Sequence, residues 1–372
     1  MQLAAQHAHL AALSAAGRLR SLAPRRGIDL SSNDYLALSG DARLVTAAEA
    51  ALARGVALGS GGSRLLRGND AEHEALEEEA AGFFGCQVAL LFGSGYAANT
   101  ALLSALPQPG DLVVHDALVH ASMHDGLRLG RAPYVAAAHG DPQAVDDRIA
   151  AWRREGGSGT AWIAIESLYS MDGDLADVGA YQAVAERHDA MLIVDEAHAT
   201  GVWGEGGRGA AAAWQGQENV ITLNTFGKAL GCEGAVLCGP ALIRDFLVAR
   251  ARPFIFSTAP SPLSAAVARE SLRILGADPG RRVQLQALIL AARGHLQPLG
   301  ARVESQIVPL VIGNDHDTMR VAAAVQAAGF DVRGIRPPTV PAGTARLRIA
   351  LTLHVDEAQI AALAAVLKEV LP

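Results

Sequence analysis

Lysine is nearly missing from this 372-residue chain: of 31 basic side chains only Lys228 and Lys368 are lysines, and the other 29 are arginines. Such a chain keeps lysine where another residue would not serve. Lys368, beside Glu369 near the chain end, reads as a solvated helix-end residue, whereas Lys228 sits between glycines in an apolar stretch and has no such reading. Cysteine is scarce as well. Cys86, Cys232 and Cys238 form an odd set without C-x-x-C spacing, which argues against disulfides and structural zinc and suits a reducing cytoplasm. No apolar run approaches the ~20 residues of a membrane helix. Positive charge is not in excess: a net charge of −7 and a pI near 5.9 argue against nucleic acid or an anionic membrane as the main partner. Gly 39 and Pro 16 are scattered without a period, which excludes collagen, and neither tandem repeats nor a low-complexity linker occurs. What is present is apolar: 50% hydrophobic against 19% charged residues, enough to offset the entropy of ordering and exclude a disordered chain. The length suits one large domain and a smaller one.

Before Asp29 there is no acidic residue, yet Arg18, Arg20, Arg25 and Arg26 occur there. That faintly resembles a transit peptide; the pattern also fits an amphipathic leading helix over residues 1–22, and the second reading is preferred. Residues 1–36 are taken as an N-terminal helical segment, ending in the polar run Ser31-Ser32-Asn33-Asp34-Tyr35. Glu72–Phe84 carries glutamates on one side and Leu76, Ala80 and Phe83 on the other, as an amphipathic helix does. Short apolar runs then alternate with helical patterns: Val88–Phe92, Leu112–His115, Trp162–Ile165, Met191–Val194, Val220–Leu223 and Gly234–Cys238 are strand candidates, and Tyr96–Leu106 is a helix. This predicts a mainly parallel sheet covered on both faces, within a large α/β domain over 37–258. From 259 to 372 the pattern shifts to a long helix, a strand over Ile307–Ile312, a helix over Thr318–Ala328 and two more strands, a small C-terminal α+β domain. In Ala345-Arg346-Leu347-Arg348-Ile349 the alternation puts both arginines on one face.

Gly93-Ser94-Gly95-Tyr96 follows a strand and opens a helix, a turn whose free amides and helix dipole can cradle phosphate. With Ala98 it also satisfies G-x-G-x-x-A, so a dinucleotide site and a plain structural turn both stay open. Asp195-Glu196-Ala197-His198 lies at a strand's C-terminal end, where open α/β sheets place ligands. An ATPase would need a P-loop, and around Lys228 that motif fails twice, at Thr222 and at Ala229. His120 and His124 have the spacing of zinc ligands but Ala121 stands where a metalloprotease has Glu, and no G-x-S-x-G elbow is found. One constellation remains. A lysine near a strand end, with a carboxylate and a histidine from another, suits Schiff-base chemistry. Pyridoxal 5'-phosphate (PLP) needs a lysine, an acid for its pyridine nitrogen, a phosphate cradle and a group on its ring face. Lys228, Asp195, the Gly93–Tyr96 turn and His120 are the candidates, in workable order along the chain.

At these residues the sequence resembles the α-oxoamine synthases, fold-type I PLP enzymes that join an amino acid to an acyl thioester with loss of CO₂. The resemblance spans nearly the whole chain and includes Ser32–Leu36, Gly59–Arg64, His73–Glu77, Ser170–Asp174, Asp195–His198 and Thr225–Lys228. The run Arg336-Pro337-Pro338-Thr339 through Arg348 is similar to the branch acting in biotin synthesis. It implies L-alanine and a pimeloyl thioester, carried by CoA or acyl carrier protein, as substrates. Glycine C-acetyltransferase and 5-aminolevulinate synthase are the alternatives within the family. The resemblance implies that Lys228 carries PLP and moves the substrate proton, that Asp195 faces the pyridine nitrogen and that His120 covers the ring. His198 and Ser170 would lie near the phenolic oxygen, with Ser94, Gly95, Tyr96 and Thr225 around the phosphate. Arg348 would take the alanine carboxylate; Arg20, in the leading helix, and Thr339 would border the acyl substrate, and His120 would touch substrate too. It further implies a cytoplasmic homodimer in which Thr258 reaches the partner's phosphate. Arg67 and Cys232-Glu233 depart from the family pattern and bear on the acyl channel. His73 and His188 read as surface or core histidines, and Arg346 as a solvated strand arginine. A PLP-binding regulator would bring a helix-turn-helix that is not seen here, and a Rossmann oxidoreductase would leave Lys228 unexplained.

Overall fold

A computed structural model describes residues 2–22 and 24–371, which divide into two compact units. The larger comprises Leu36–Tyr169 and Leu175–Arg282. Its centre is a seven-stranded sheet in the spatial order Val88–Phe92, Ala235–Gly239, Val220–Thr225, Met191–Asp195, Ala161–Glu166, Leu112–Asp116, Tyr134–Ala137. All neighbours are parallel except Ala235–Gly239, which runs antiparallel to both strands beside it. Alternation along each strand explains the two-faced burial. Val113, Ala164, Ile193, Ile221 and Leu223 pack on one face against Ala98, Leu102, Met123 and Phe254. Val114, Ile163, Ile165, Leu192 and Val194 pack on the other against Val145, Ile149, Tyr181 and Val184. The mainly parallel sheet read from the sequence is present. Tyr134–Ala137 was not among the strands expected; it is a four-residue edge strand, largely exposed, and too short to stand out from a loop.

Helix starts follow local chemistry. Ser94, in extended conformation, accepts a hydrogen bond from Ala97 N at 3.1 Å and so starts the helix Gly95–Ala105 directly after a strand. Asp141 and Asp177 cap Pro142–Arg154 and Val178–His188 through their side chains as well. The helix Ala121–Leu129 crosses Gly95–Ala105 very closely at Gly126, where an added Cβ would sit 2.9 Å from Leu103 Cβ and 3.0 Å from Asn99 O.

The smaller unit gathers residues 1–35, Ser170–Asp174 and Val283–Pro372. Its three-stranded antiparallel sheet has Ala345–Ala350 between Arg333–Ile335 and Ile307–Gly313, and Ile28–Asp29 pairs in parallel with Phe330–Asp331. The helices Asp315–Ala327 and Glu357–Val370 complete it, the latter started by a capping box of Asp356 and Gln359. The leading helix is shorter than the 1–22 expected: it covers Ala4–Ala15 and buries none of its residues. Gly17, at φ +66°, ends the helical path, so Arg20 lies beyond the helix rather than in it. The long helix expected after 259 is two, Pro262–Ala277 and Gly280–Leu296. No helix among the described residues is long and apolar enough to cross a membrane.

Candidate active site

Inside the larger unit a cavity of about 160 Å³ opens at the C-terminal ends of the central strands. Lys228, Asp195, His120, His198, Thr225, Gly95 and Tyr96 all line it. Lys228 rides on the turn after Val220–Thr225, and that turn is fastened from within. Thr225 Oγ1 donates to Gly234 O and accepts from Gly227 N, both at 3.1 Å, while Phe226 N and Cys232 N close bonds of 2.9 and 2.8 Å across the loop. The lysine, half-buried, therefore has a defined origin for its flexible stem.

Asp195 ends the central strand and is 5% exposed. Its Oδ1 accepts from Ala197 N at 2.8 Å and its Oδ2 from Asn99 Nδ2 at 2.7 Å. Two donors hold the carboxylate in place. The same Asn99 amide donates to Ser122 Oγ at 3.0 Å, while Asn99 Oδ1, buried at the cavity wall, has no hydrogen-bond partner among the described residues. His120 caps the helix Ala121–Leu129, with Nδ1 3.2 Å from Ser122 N and 2.8 Å from Ser122 Oγ. Because a backbone amide can only donate, Nδ1 accepts and a neutral His120 carries its proton on Nε2. Desolvation lowers the His120 pKa below the ordinary imidazole value, Asp195 pulls it back up, and the Lys228 ammonium adds to the lowering. That direction favours the neutral ring. Thr225 and His198 are buried; Tyr96 is exposed and its hydroxyl binds Asp125.

One cavity thus holds an amine, a buried acid, an imidazole and the start of a helix whose first amides have no intrahelical acceptor. That donor set fits PLP, whose aldehyde, ring nitrogen and phosphate each find a matching group.

The remaining expected residues lie elsewhere. Ser94 caps the helix Gly95–Ala105, and Thr258 is exposed on the loop after the short helix Arg252–Ile255. Ser170, Arg348, Arg20 and Thr339 belong to the smaller unit. Arg20 Nη2 donates to Thr339 Oγ1 at 2.8 Å. Arg348 is 6% exposed; its Nε donates to Ser170 O at 2.7 Å and its Nη2 to Asn33 Oδ1 at 3.0 Å. Tyr35 lies alongside, its hydroxyl pushed up to about 12 by burial against the pull of Arg348. Among the described residues Arg348 pairs with no carboxylate. A buried guanidinium without a counter-charge is costly and suits an incoming carboxylate.

One reading needs correcting, and two histidines read as surface or core residues can now be placed. Arg346 is not a solvated strand arginine: it is buried and forms an ion pair with Asp172 at 2.5 Å. His73 is a buried capping residue, taking Asp70 N at 3.2 Å on Nδ1 and meeting Pro260 O at 2.8 Å with Nε2. His188 pairs with Asp146. Asn99 was missed, although it stands four residues beyond Gly95, one helical turn above the cradle. Ser122 and Glu166, also at the cavity, carried no local signal in the sequence.

With this geometry in hand, comparison with known proteins is decisive. A family model described as aminotransferase class I and II matches residues 25–367. The chain belongs to that family. It is 42% identical over 387 aligned residues to an 8-amino-7-oxononanoate synthase of Anaeromyxobacter dehalogenans, covering 98% of this chain and 96% of that one. With a synthase of the same name from Methylobacterium radiotolerans it shares 43% identity over 92% of this chain and 88% of the other. Among solved structures, a serine palmitoyltransferase from S. paucimobilis with a bound PLP–myriocin aldimine superposes with a TM-score of 0.89 at 27% identity, over 99% of this chain and 97% of that one. The 8-amino-7-oxononanoate synthase of Francisella tularensis gives 0.78 at 27% identity, over 92% and 97%. The protein therefore has the fold-type I transferase architecture, is a PLP-dependent acyltransferase of the 8-amino-7-oxononanoate synthase group, and uses pyridoxal phosphate as cofactor.

Proposed function

We propose that the protein condenses L-alanine with a pimeloyl thioester, on CoA or acyl carrier protein, to give 8-amino-7-oxononanoate, CO₂ and the free thiol. The observation that carries this reading is the gathering of Lys228, Asp195 and His120 in one cavity beside a helix start, in a chain 42% identical to synthases of that product. Glycine C-acetyltransferase and 5-aminolevulinate synthase chemistry would use the same machinery, so the pairing of substrates is the point at issue.

PLP supplies an electron sink for the carbanion formed at the amino acid's Cα. Lys228 would hold it through Nζ, and the same amine would remove the Cα proton of the amino acid and return a proton after loss of CO₂. Asp195 holds a proton on the ring nitrogen, which an ion pair in a desolvated site favours. His120 would cover the ring face and touch substrate. The helix start at Ser94, Gly95 and Tyr96, with Thr225, holds the phosphate, and Thr258 is assigned to the phosphate of a partner subunit in a homodimer. His198 and Ser170 orient the phenolic oxygen. Arg348 fixes the alanine carboxylate, and Arg20 with Thr339 borders the acyl chain. A reducing cytoplasm is the compartment that the cysteine pattern supports.

The test is an assay of CO₂ and thiol release for L-alanine and glycine, each with pimeloyl-, acetyl- and succinyl-CoA. One methyl in a pocket alters selectivity by ~1–3 kcal/mol, whereas a long acyl chain offers ~0.8 kcal/mol for each buried methylene. L-Alanine with the pimeloyl thioester should give the highest kcat/KM, with the acyl partner mattering more than the amino acid. Glycine with acetyl- or succinyl-CoA on top would overturn the assignment.

A further inference from the structure

Arg346 and Arg348 lie two residues apart on one face of the Ala345–Ala350 strand, and both are buried. Their circumstances differ sharply. Arg346 is fully engaged: Nε donates to Thr344 O at 3.0 Å, Nη2 to Thr344 Oγ1 at 3.1 Å, and Nη1 to Met171 O at 3.2 Å and Asp172 Oδ1 at 2.5 Å. Arg348 holds only the neighbouring carbonyl of Ser170 and the Asn33–Tyr35 pair, has no carboxylate, and leaves Nη1 without an acceptor among the described residues. The segment Ser170–Asp174 is thus gripped at successive carbonyls, Ser170 by Arg348 and Met171 by Arg346. Gly173 follows, its oxygen taking Ser305 Oγ at 2.7 Å. Gly173 also has φ +68°, and a Cβ there would lie 2.0 Å from Ile307 O, so the segment is seated directly on the sheet edge.

We infer that the Arg346–Asp172 ion pair is a positioning device for amino-acid binding. It fixes the Ser170 segment against the strand and neutralises one of two adjacent guanidiniums, so that Arg348 alone remains to receive the substrate carboxylate. Neither residue is assigned to touch substrate; both act through Ser170 and Arg348. The inference rests on the proposed function, since it assumes that an amino-acid carboxylate is bound by Arg348.

Arg346 is buried and Asp172 partly exposed; replacing such a pair by apolar residues of similar volume commonly preserves stability, which separates positioning from folding. The double variant Arg346→Met/Asp172→Leu, prepared as holoenzyme, should keep its thermal midpoint and PLP content. Its KM for L-alanine should rise about tenfold or more, the order expected when a binding group is displaced by a fraction of an ångström, and the KM for the acyl thioester should stay within about twofold. Arg346→Lys, which keeps the charge but not the fork, should fall between wild type and the double variant, and it carries the test alone if the double variant does not fold. An unchanged alanine KM would overturn the inference. So would a parallel shift of the alanine KM, the thioester KM and the thermal midpoint, which is the signature of a merely structural pair. If wild type turns over no alanine with any thioester, both this inference and the proposed function fall; if wild type does and the variants match it, only the inference falls.

Discussion

Asp195 shows how much one side chain can be made to do by its neighbours. Its two oxygens are each held by a donor, Ala197 N and Asn99 Nδ2, so the carboxylate faces the cavity in a fixed pose. We expect Asp195→Asn to fold and to bind PLP, because Asn99 can turn its amide and use the now unpartnered Oδ1. Turnover should fall by about a hundredfold or more, close to the ~3 kcal/mol lost when a preorganised electrostatic group is removed. Single-turnover kinetics with absorbance-verified cofactor loading checks this. Near-native turnover would mean that some other acid holds the ring nitrogen. At this scale the sequence was most informative where composition made a residue unusual. Lys228 stood out because lysine is so rare, and Asp195 and His198 because they follow an apolar strand. Asn99 and Ser122 are ordinary letters in two ordinary helices. Their importance comes from the crossing of two helices, which no local pattern encodes.

Two elements carry consequences of close packing. Gly126 lets Ala121–Leu129 lie against Gly95–Ala105, and Asn99 and His120 belong to those two helices and their caps. Gly126→Val should therefore destabilise by about 1–3 kcal/mol through overpacking, even though glycine is itself unfavourable in a helix. Urea unfolding measures it, and an unchanged or raised midpoint would show that the helices can part without penalty. The second element is the glycine-rich stretch after Asp195. Glu196 is completely buried, accepting from Ser167 Oγ at 2.7 Å, Ala210 N at 3.0 Å and Ala211 N at 2.5 Å. Burial pushes its pKa up to about 7, opposed by those three donors. A raised acid binds its proton more tightly folded than unfolded, so its contribution to stability diminishes as pH rises from the ordinary glutamate range toward 7. Glu196→Gln should unfold with a flatter pH dependence across that window, by up to about 3 kcal/mol; an unaltered slope would place the titration elsewhere. Strands were legible from apolar runs because parallel strands are buried on both faces. Tyr134–Ala137 escaped because an edge strand is not, and the leading helix ended early at Gly17, where backbone freedom outweighed the apolar pattern.

At the level of the whole molecule, the sequence order pointed to residues that the fold brings to one cavity, the turn at Gly95 and Tyr96, His120, Asp195 and Lys228, followed by an α+β tail with two arginines on one strand face. The sequence could not tell that those two arginines differ, since the distinction depends on Asp172, 174 residues away along the chain. Nor did it tell that the smaller unit draws in Ser170–Asp174 from the middle of the sequence. The central claim is that the single lysine at the sheet's C-terminal edge carries the chemistry. Lys228→Ala tests it most directly, by absorbance after PLP addition together with turnover of L-alanine and the pimeloyl thioester, with circular dichroism as the check on folding. We expect a folded protein without the lysine-bound cofactor band and without multiple turnovers. A variant that keeps multiple turnovers would contradict the claim outright.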